Sequence, residues 1–539
     1  MRPFFILISI SITLGCSTPS VKENVQHPVI LPAPQSMQLQ EGQIDLKGPF
    51  YLDVDSEEAQ QAVAFLYDFL QSANKKISDD KADTGTVIKL TYPGAKPLAE
   101  EAYEISIDEA GIEVIASSQS GLFYGIQSLI QLLATTGPTV SHLQISDAPR
   151  FGYRGMHLDV GRHMFPVAFI KKYIDMMSRF KFNTFHWHLT EDQGWRIEVK
   201  QYPELQKTAA YRAETAIGYA TTRTRAQVTY DGTPYGGYYT QEEVREVVAY
   251  ATARNITVIP EIELPGHASA ALAAYPHLGC TGGPYETAKT WGVFQDIYCV
   301  GRESTFEFLE NVFEEILSLF PGPYVHIGGD EAPKSRWEEC PHSQKRMQEE
   351  GLKDEHELQS YFVQRIEAYL NSQGKTMIGW DEILEGGLAP NAVVMSWRGE
   401  EGGIAAAQQN HPVIMTPVEW CYFDYYQADM ETEPLAIKQL TTVEKVYGYE
   451  PIPSGLTEKE ASLVLGAQCN LWSEYITSGE HAEYMVYPRA LAMAEVLWSP
   501  AGKRDYDQFV ERVGSLRPLL DTWDINYATH IFQSIATSE

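Results

Sequence analysis

Residues 324–333 read YVHIGGDEAP, a strand-like stretch that ends in two glycines and two acids. Apolar and polar residues alternate over its first four positions, as in a β-strand. The glycines loosen the backbone just before Asp330 and Glu331. Because two neighbouring carboxylates repel each other, one of them should keep its proton to a higher pH, as a general acid requires. Such pairs also occur in solvated loops, so the interpretation depends on the other strand ends.

The composition bounds the domain count and the classes of partner. At 539 residues the chain exceeds one ordinary domain, and even a barrel of about 250 residues leaves room for a second. The formal net charge is −31. An acidic surface of this kind repels phosphate backbones and anionic lipid headgroups. Nucleic-acid binding and electrostatic membrane docking are therefore not expected.

The first residues predict export. Residues 1–15 resemble a bacterial lipoprotein signal peptide, since an apolar run too short to span a membrane precedes Cys16. Cys16 would become the lipidated first residue, and residues 16–28 would form a polar tether. The expected location is the bacterial cell envelope, periplasm or cell surface, with membrane contact only through the lipid. Plain secretion is the alternative, because Thr13 and the single Arg2 depart from the lipoprotein pattern.

Five cysteines remain after Cys16. An exported chain can form disulfides, and Cys280 and Cys299 lie close in sequence across a Gly-rich segment. We therefore predict a Cys280–Cys299 disulfide. The others are predicted to be buried thiols: Cys340, Cys421 and Cys469.

Residues 29–150 predict a small α+β domain. Alternating apolar residues indicate strands at 87–92, 102–107 and 111–115, and helical spacing indicates helices at 57–73 and 121–133. Strands with helices on one side form an α+β layer. No cluster of catalytic residue types occurs there.

From residue 151 the pattern becomes strand, loop, helix, repeated. The predicted strands are 153–158, 184–189, 256–262, 324–327, 376–380, 393–397, 413–416 and 464–468. Eight such units predict an α/β fold, a (β/α)8 TIM barrel over residues 151–500, whose chemistry lies at the carboxyl ends of the strands. Residues 501–539 would add a C-terminal helical extension. The seventh unit is the least regular, because 438–457 has no clear helical period.

Polar and aromatic residues recur at the predicted strand ends. Acids, histidines and arginines alternate with three tryptophans, Trp380, Trp397 and Trp472. Indole faces stack on the C–H surfaces of sugars, while acids and arginines bind hydroxyl groups. A single Trp or His at such a position is more often a core residue than a ligand contact. Their coincidence at nearly every strand end favours a sugar-binding pocket.

These strand ends carry a family resemblance. The motifs are YRG at 153–155, LDVGRH at 158–163, HWHLTEDQGWR at 186–196, PGH at 265–267, HIGGDE at 326–331 and LWSE at 471–474. Together they resemble glycoside hydrolase family 20, whose members are β-N-acetylhexosaminidases. The resemblance runs from about 29 to 500, and residues 102–133 are similar to the accessory domain that precedes the barrel. One departure is Glu191, where Asp is common.

The resemblance implies a retaining, substrate-assisted hydrolysis of terminal β-linked N-acetylglucosamine or N-acetylgalactosamine. Glu331 would be the general acid and base, Asp330 would orient the substrate's 2-acetamido group, and Tyr422 would donate to the acetamido oxygen. The residues implied to bind ring hydroxyls are Arg154, Asp424 and Glu474. Those implied to enclose the sugar are Trp380, Trp397 and Trp472, and those implied to support the acid are Asp192, His267 and His326. No metal or organic cofactor is implied, and the partner is an oligosaccharide or glycoconjugate.

Two alternatives belong to other classes. A metal-dependent hydrolase could use His186 and His188, which face the same way on a strand, together with His267 and His326. A non-catalytic surface protein could capture glycans with the same aromatic pocket, although binding alone needs no general acid. The sequence leaves open the choice between N-acetylglucosamine and N-acetylgalactosamine, and between chitin fragments and host-type glycans.

Overall fold

The computed structural model describes residues 28–532 except 55, 57, 58, 84, 94–96 and 221–227. The predicted signal peptide, Cys16 and all but the last residue of the predicted tether lie outside the described residues. In the described ranges, every helix is too short or too polar to cross a membrane.

The first domain is built on a mixed six-stranded sheet. Its strands are β1 (Ser36–Asp45), β2 (Phe50–Val54), β3 (Thr86–Thr91), β4 (Tyr103–Asp108), β5 (Gly111–Ala116) and β6 (Thr139–Asp147). They lie in the order β1-β6-β4-β5-β3-β2. The β2–β3 and β3–β5 pairs are parallel and the other pairs are antiparallel. The predicted strands β3, β4 and β5 are confirmed, whereas β1, β2 and β6 were not predicted.

Two helices cover this sheet, α1 (Gln60–Ser72) and α2 (Gln119–Thr135). Helix α2 is buried on all sides from residue 121 to residue 133. On one side Gly125 lies against Tyr103 and Val114 of the sheet. On the other, Gln131 donates to the Arg179 carbonyl of the barrel over 3.1 Å. Helix α2 thus lies between two layers, where its mostly apolar faces are covered by the sheet and by the barrel.

Eight parallel strands close into a barrel. They are β7 (Tyr153–Asp159), β8 (Thr184–His188), β9 (Thr257–Glu261), β10 (Tyr324–His326), β11 (Thr376–Trp380), β12 (Val393–Ser396), β13 (Val413–Met415) and β14 (Val464–Cys469). Each pairs with its neighbour in sequence, and β14 pairs with β7. Every strand end lies within one residue of its prediction. The predicted TIM barrel preceded by a smaller domain is confirmed.

Helices surround the barrel. They are α3 (Val167–Arg179), α4 (Gln241–Thr252), α5 (Ser269–Ala274), α6 (Glu303–Leu317), α7 (Ser335–Glu339), α8 (Pro341–Glu350), α9 (Glu355–Ser372), α10 (Glu401–Gln408), α11 (Val418–Cys421), α12 (Val443–Tyr447), α13 (Glu458–Ala461), α14 (Gly479–Val486), α15 (Arg489–Trp498) and α16 (Tyr506–Thr522). Helices α14 and α15 are separated at Pro488, because proline lacks the N–H that a helix interior requires. The seventh unit has only the short α11, α12 and α13.

A buried polar network joins the first domain to the barrel. Lys181 of the barrel lies with its Nζ 2.9 Å from the Tyr103 hydroxyl and 3.2 Å from Asp147 Oδ2. The indole of Trp498 donates to the same Asp147 carboxylate over 2.9 Å. All four side chains are buried. Because a buried charge is tolerated only when it is paired, this network fixes the two domains to each other.

Candidate active site

A glycine turn after β10 carries the two acids. Gly328 and Gly329 have φ angles of 68° and 103°, a region that L side chains rarely adopt. A Cβ atom on Gly328 would overlap the Glu263 carboxylate. The Gly328 N–H donates to Nδ1 of His326 over 3.0 Å, so His326 holds the turn from below.

The turn directs Asp330 and Glu331 into the same cavity. Asp330 is 9% exposed, whereas the Glu331 side chain is 39% exposed at the cavity edge. Glu331 has a φ of 44°, an unusual value for a residue with a side chain. Backbone strain of this kind clusters at functional sites, which supports Glu331 as a functional residue.

His267 lies between four carboxylates. Its Nδ1 is 2.9 Å from Glu191 Oε1 and 3.1 Å from Asp192 Oδ2. Its Nε2 is 3.5 Å from Glu331 Oε2 and 3.7 Å from Asp330 Oδ2. Burial opposes its charge, but Glu191 and the hydrogen bonds to its neighbouring acids raise the pKa of His267 well above its ordinary value. His267 is therefore a buried imidazolium.

The two acids of the turn have opposite pKa shifts. Burial, which outweighs the lowering by His267, raises the pKa of Asp330 to about 7, and the Glu331 charge adds to this. Burial also acts on Glu331, but the hydrogen bond and the charge of His267 lower its pKa below the ordinary value. One of the two acids has a raised pKa, as predicted, and that acid is Asp330, whereas His267 lowers the pKa of Glu331.

Arg162, at the end of β7, forms the basic part of the pocket wall. Its guanidinium lies 3.2 Å from Asp159, 3.5 Å from Glu474, and in contact with Glu191. It also covers the ring of Trp472 at 4.9 Å. These three acids raise the pKa of Arg162 against the effect of burial. Arg162 thus carries a permanent positive charge into an acidic pocket.

The cavity around the acids has a volume of about 170 Å³. Its wall consists of Arg162, Glu191, Glu263, His267, Asp330, Glu331, Trp397, Tyr422, Asp424, Tyr425, Ile437, Trp472 and Glu474. The Trp397 and Tyr422 rings are stacked 6.3 Å apart, and the Trp397 indole donates to Glu382 over 2.9 Å. Aromatic faces beside carboxylates and an arginine suit a sugar ring.

Two acids close the far side of the cavity. Burial and the charge of Glu474 raise the pKa of Asp424 well above its usual range. Burial also raises the pKa of Glu474, although Arg162 opposes this. At least one of the two carboxyls can therefore donate as well as accept hydrogen bonds. Neighbouring sugar hydroxyls, each a donor and an acceptor, fit such a pair.

Arg154 does not belong to the pocket, contrary to the prediction that it binds sugar hydroxyls. It is the second residue of β7, so its side chain lies at the opposite end of the barrel. It is 1% exposed, donates to Glu101 over 2.8 Å, and lies 5.0 Å above the Trp498 ring. Arg154 therefore joins the barrel to the first domain, and Arg162 occupies the place expected for it.

Trp380 does not line the cavity either. Only 1% of it is exposed, and its ring packs against His326 at 4.7 Å and Trp472 at 5.9 Å. It supports Trp472 from behind, so the sugar would meet Trp397 and Trp472 but not Trp380.

The zinc hypothesis required four histidines in one place, and the structure divides them. His186, His188 and His326 surround Glu261 together with His157, all fully buried. His186 Nε2 lies 3.1 Å and His326 Nδ1 2.8 Å from that carboxylate, and His188 contacts it directly. His267 lies apart, among the acids of the pocket. Glu261 offers donor atoms within 4.8 Å of His157 and His186, and also of His188 and Glu263, so metal-binding chemistry is present there without His267.

The five cysteines in the described residues are free thiols, so the predicted Cys280–Cys299 disulfide is absent there. Cys340 is a buried thiol, as predicted, and its sulfur lies 3.5 Å from the sulfur of Cys299. Long-range pairing of this kind cannot be derived from spacing along the chain.

Several pocket residues were not predicted. They are Arg162, Glu191, Glu263, Tyr425 and Ile437. The first three follow barrel strands directly, so their position was the available signal. Tyr425 and Ile437 pair in a short bridge outside the barrel, which no local pattern marks.

A larger cavity of about 1000 Å³ opens at the opposite end of the barrel, beside the first domain. Its wall includes Glu101, Tyr124, Tyr153, Tyr324 and Leu465. None of the residues that line it belongs to the glycine turn or to the wall of the smaller cavity. The chemistry is therefore assigned to the smaller cavity.

Comparison with known proteins identifies the family. Residues 151–501 match the model of the glycosyl hydrolase family 20 catalytic domain, and residues 27–148 match glycosyl hydrolase family 20, domain 2. A β-hexosaminidase of Porphyromonas gingivalis is 48% identical over 92% of this chain. The chain spans 64% of that relative's length. A β-hexosaminidase of Vibrio furnissii is 36% identical over 86% of this chain and 76% of its own.

Solved structures agree with this assignment. The GH20 exo β-N-acetylglucosaminidase from Vibrio harveyi, in complex with N-acetylglucosamine, is 32% identical, with a TM-score of 0.80. The similarity covers 93% of this chain and 78% of that one. Together with the barrel and its glycine turn, these matches establish that the chain belongs to glycosyl hydrolase family 20.

Proposed function

We propose that this protein is an exo-acting β-N-acetylhexosaminidase. It would remove terminal, non-reducing β-linked N-acetylglucosamine or N-acetylgalactosamine with retention of configuration. The nucleophile would be the substrate's own acetamido oxygen, which forms an oxazolinium intermediate.

The observation that carries this proposal is the placement of Asp330 and Glu331 on one turn. In an ordinary retaining glycosidase the acid and the nucleophile face each other across the bond, about 5 Å apart. Two adjacent residues of one turn cannot flank a glycosidic bond in that way. They can act on neighbouring atoms of one sugar, Glu331 on the leaving oxygen and Asp330 on the acetamido nitrogen.

His267 controls the protonation of Glu331. The acids around His267 favour its protonated form, and its Nε2 lies 3.5 Å from Glu331 Oε2. A substrate that covers Glu331 removes water from it, which favours the neutral acid, and His267 can then transfer the proton. Glu331 protonates the leaving oxygen and later accepts a proton from the attacking water. Asp330, once ionised, stabilises the positive charge on the acetamido nitrogen.

The rest of the wall would bind the sugar. Tyr422, buried between Trp397 and Trp472, would donate to the acetamido oxygen. Asp424 and Glu474 would bind ring hydroxyls on the closed side of the cavity. A cavity of about 170 Å³ with this closed side favours one sugar at a time, and so an exo action.

The test compares two aryl β-glycosides that differ only at C2, one with an acetamido group and one with a hydroxyl. Fast hydrolysis of the acetamido compound alone is the expected result. Equal hydrolysis of both would mean that the protein provides its own nucleophile. Hydrolysis of neither, with longer oligosaccharides bound but intact, would favour glycan capture.

Substitution separates the two acids. Glu331→Gln should lose about 10²–10⁴-fold on poor leaving groups and much less on activated aryl glycosides, because only poor leaving groups need protonation. Asp330→Asn should slow both, since the charge it stabilises forms with either leaving group. Equal losses on both substrates for Glu331→Gln would reject its assignment as the acid.

We also propose that the chain is exported and anchored by lipid on Cys16, on the basis of residues 1–17. Expression with labelled fatty acid should label the wild-type chain, and Cys16→Ser should release it from membranes. Label-free secretion of the wild-type protein would favour plain export.

A further inference from the structure

Three cysteines that are distant in sequence lie together on the segments that follow β9 and β10. The sulfur atoms of Cys280, Cys299 and Cys340 all lie within 4.8 Å of one another. The sulfur atoms of Cys299 and Cys340 are 3.5 Å apart. These two residues are 0% and 3% exposed, whereas Cys280 is partly exposed. We call this group the thiol centre.

The thiol centre joins the two loops that carry the catalytic groups. Cys280 and Cys299 belong to the segment after β9, which contains His267, and Cys340 belongs to the segment after β10, which contains Glu331. Beside Cys299, the Tyr298 N–H donates to the Pro265 carbonyl over 3.0 Å. The Tyr298 carbonyl in turn accepts from the Trp337 indole over 2.8 Å. One hydrogen bond therefore joins the neighbour of Cys299 to Pro265, two residues before His267.

We propose that the thiol centre is a site of thiol–disulfide exchange. Cys280 is the entry thiol, and Cys299–Cys340 is the bond that finally forms. A disulfide reagent can reach only Cys280, because the other two sulfurs are buried. The short Cys299–Cys340 separation makes that pair the end point, and the third sulfur is close enough to attack either one.

The steps balance with a small-molecule disulfide, RSSR, as the oxidant. The Cys280 thiolate attacks RSSR, forming Cys280–S–SR and releasing RS⁻. The Cys299 thiolate attacks the Cys280 sulfur, forming Cys280–Cys299 and releasing a second RS⁻. The Cys340 thiolate then attacks the Cys299 sulfur, forming Cys299–Cys340 and releasing Cys280 as a thiolate. In total, two protein thiols are oxidised and one RSSR is reduced to two RSH.

A thiolate metal site is the competing explanation. Zinc sites built on three cysteines usually take a fourth protein ligand or keep an open position for water. Among the described residues, no His, Asp or Glu joins the three sulfur atoms to complete such a set. The uncharged Ser343 hydroxyl lies 3.9 Å from the sulfur atoms of both Cys280 and Cys299. Exchange therefore fits the centre better than metal binding.

The experiment follows each cysteine separately. The full-length protein is reduced, freed of reductant, and incubated with glutathione disulfide for increasing times. Samples are quenched in acid, alkylated and digested, and the linked peptides are identified by mass spectrometry. Cys280→Ser, Cys280→Ala and Cys340→Ala are treated in the same way, with Cys421→Ala as the control for loss of a buried cysteine elsewhere. Circular dichroism checks that each variant is folded.

The expected product in the wild-type protein and in Cys421→Ala is a Cys299–Cys340 link with Cys280 free. Both Cys280 variants should form that link at no more than about one tenth of the wild-type rate, because the entry thiol is missing. Cys340→Ala should stop at Cys280–Cys299. The thiols of Cys421 and Cys469 should stay reduced throughout, since both are buried.

Three results would overturn the proposal. One is a final link that includes Cys280 in the wild-type protein. Another is oxidation of both Cys280 variants at the wild-type rate. The third is one equivalent of zinc bound to the reduced protein with all three thiols protected from glutathione disulfide, which would assign the centre to a metal.

Discussion

The protonation of the site depends on one histidine with two different sides. The Nδ1 of His267 lies between Glu191 and Asp192, and its Nε2 faces Asp330 and Glu331. The first pair of acids keeps the ring charged, and the charged ring lowers the pKa of both acids of the turn. Removing the ring should therefore raise both pKa values.

The His267→Gln substitution tests whether loss of the charged ring raises the pKa of Asp330. The pKa of Asp330 in the free enzyme is about 7, so kcat/KM should fall below that pH as Asp330 takes up a proton. In His267→Gln this acid limb should move to higher pH, because the positive charge that favours ionised Asp330 is gone. The measurement is kcat/KM from pH 4 to pH 9 on an activated aryl glycoside, which does not need protonation by Glu331. An acid limb that stays in place or moves down would contradict the electrostatic assignment.

The two arginines of β7 allow a comparison of structural and binding roles. Arg154→Met should destabilise the protein by about 3–5 kcal/mol, because it leaves Glu101 without its partner at the domain interface. KM should stay within about twofold of wild type, since no substrate group reaches that end of the barrel. Arg162→Met should raise KM at least about tenfold, because it removes the positive charge from the pocket wall.

Thermal unfolding and steady-state kinetics of the two variants distinguish the structural role of Arg154 from the binding role of Arg162. A large rise in KM for Arg154→Met would restore the original prediction that it contacts the sugar. The sequence could place Arg154 on the predicted strand and Arg162 just after it. The resemblance quoted both arginines in neighbouring motifs, and only the structure shows that Arg154 lies at the end of the barrel opposite to the pocket.

At the scale of elements, the glycine turn after β10 is the feature that places the acids. Gly328 has both a positive φ and the Glu263 carboxylate where a Cβ would be. Gly351, at the end of α8, has the same φ of 68° but open space around it. Alanine substitutions at the two glycines therefore distinguish the effect of backbone strain alone from that of strain combined with steric overlap.

Gly351→Ala should cost only about 1 kcal/mol of stability and leave activity unchanged, because only strain is added. Gly328→Ala should reduce kcat by at least about 10²-fold, because moving the turn by a fraction of an ångström misplaces both acids. Denaturant unfolding and kcat on the same aryl glycoside measure the two effects. If the two variants had equal kcat and equal stability, the overlap with Glu263 would have been relieved without moving the turn.

The elements differ in how far the sequence could predict them. Barrel strands were predicted within one residue because parallel strands buried on both faces have apolar runs between amphipathic helices. Strand β1 was missed because nearly all of its ten residues are exposed, so no alternation marks it. It exists through pairing with β6, which is a tertiary interaction. The thiol centre was missed for the same reason, since its members come from separate loops.

At the scale of the whole molecule, the buried network around Lys181 decides whether the domains unfold together. Lys181→Met should cost about 3–5 kcal/mol, because Asp147 would remain buried without its cation. Lys171→Met, at the more exposed Lys171–Glu246 pair, should cost about 1 kcal/mol or less. Calorimetry should show one transition for wild type and for the control.

The Lys181→Met variant should instead show a lower and broader transition, or two, as the first domain separates from the barrel. A single sharp transition at the wild-type temperature would mean that apolar packing of α2 alone couples the domains. Activity at low temperature should survive, since the network lies far from the acids.

The position of α2 between two layers also bears on the order of events during synthesis. Asp147, the last residue of β6, accepts a hydrogen bond from the Trp498 indole, which is added to the chain 351 residues later. At about 5–20 residues per second, roughly 20–70 s pass before the barrel side of α2 can be covered. During that interval the nascent chain exposes the apolar surface of α2. The yield of folded protein in cells should therefore depend on chaperones that hold the chain until the last helices emerge.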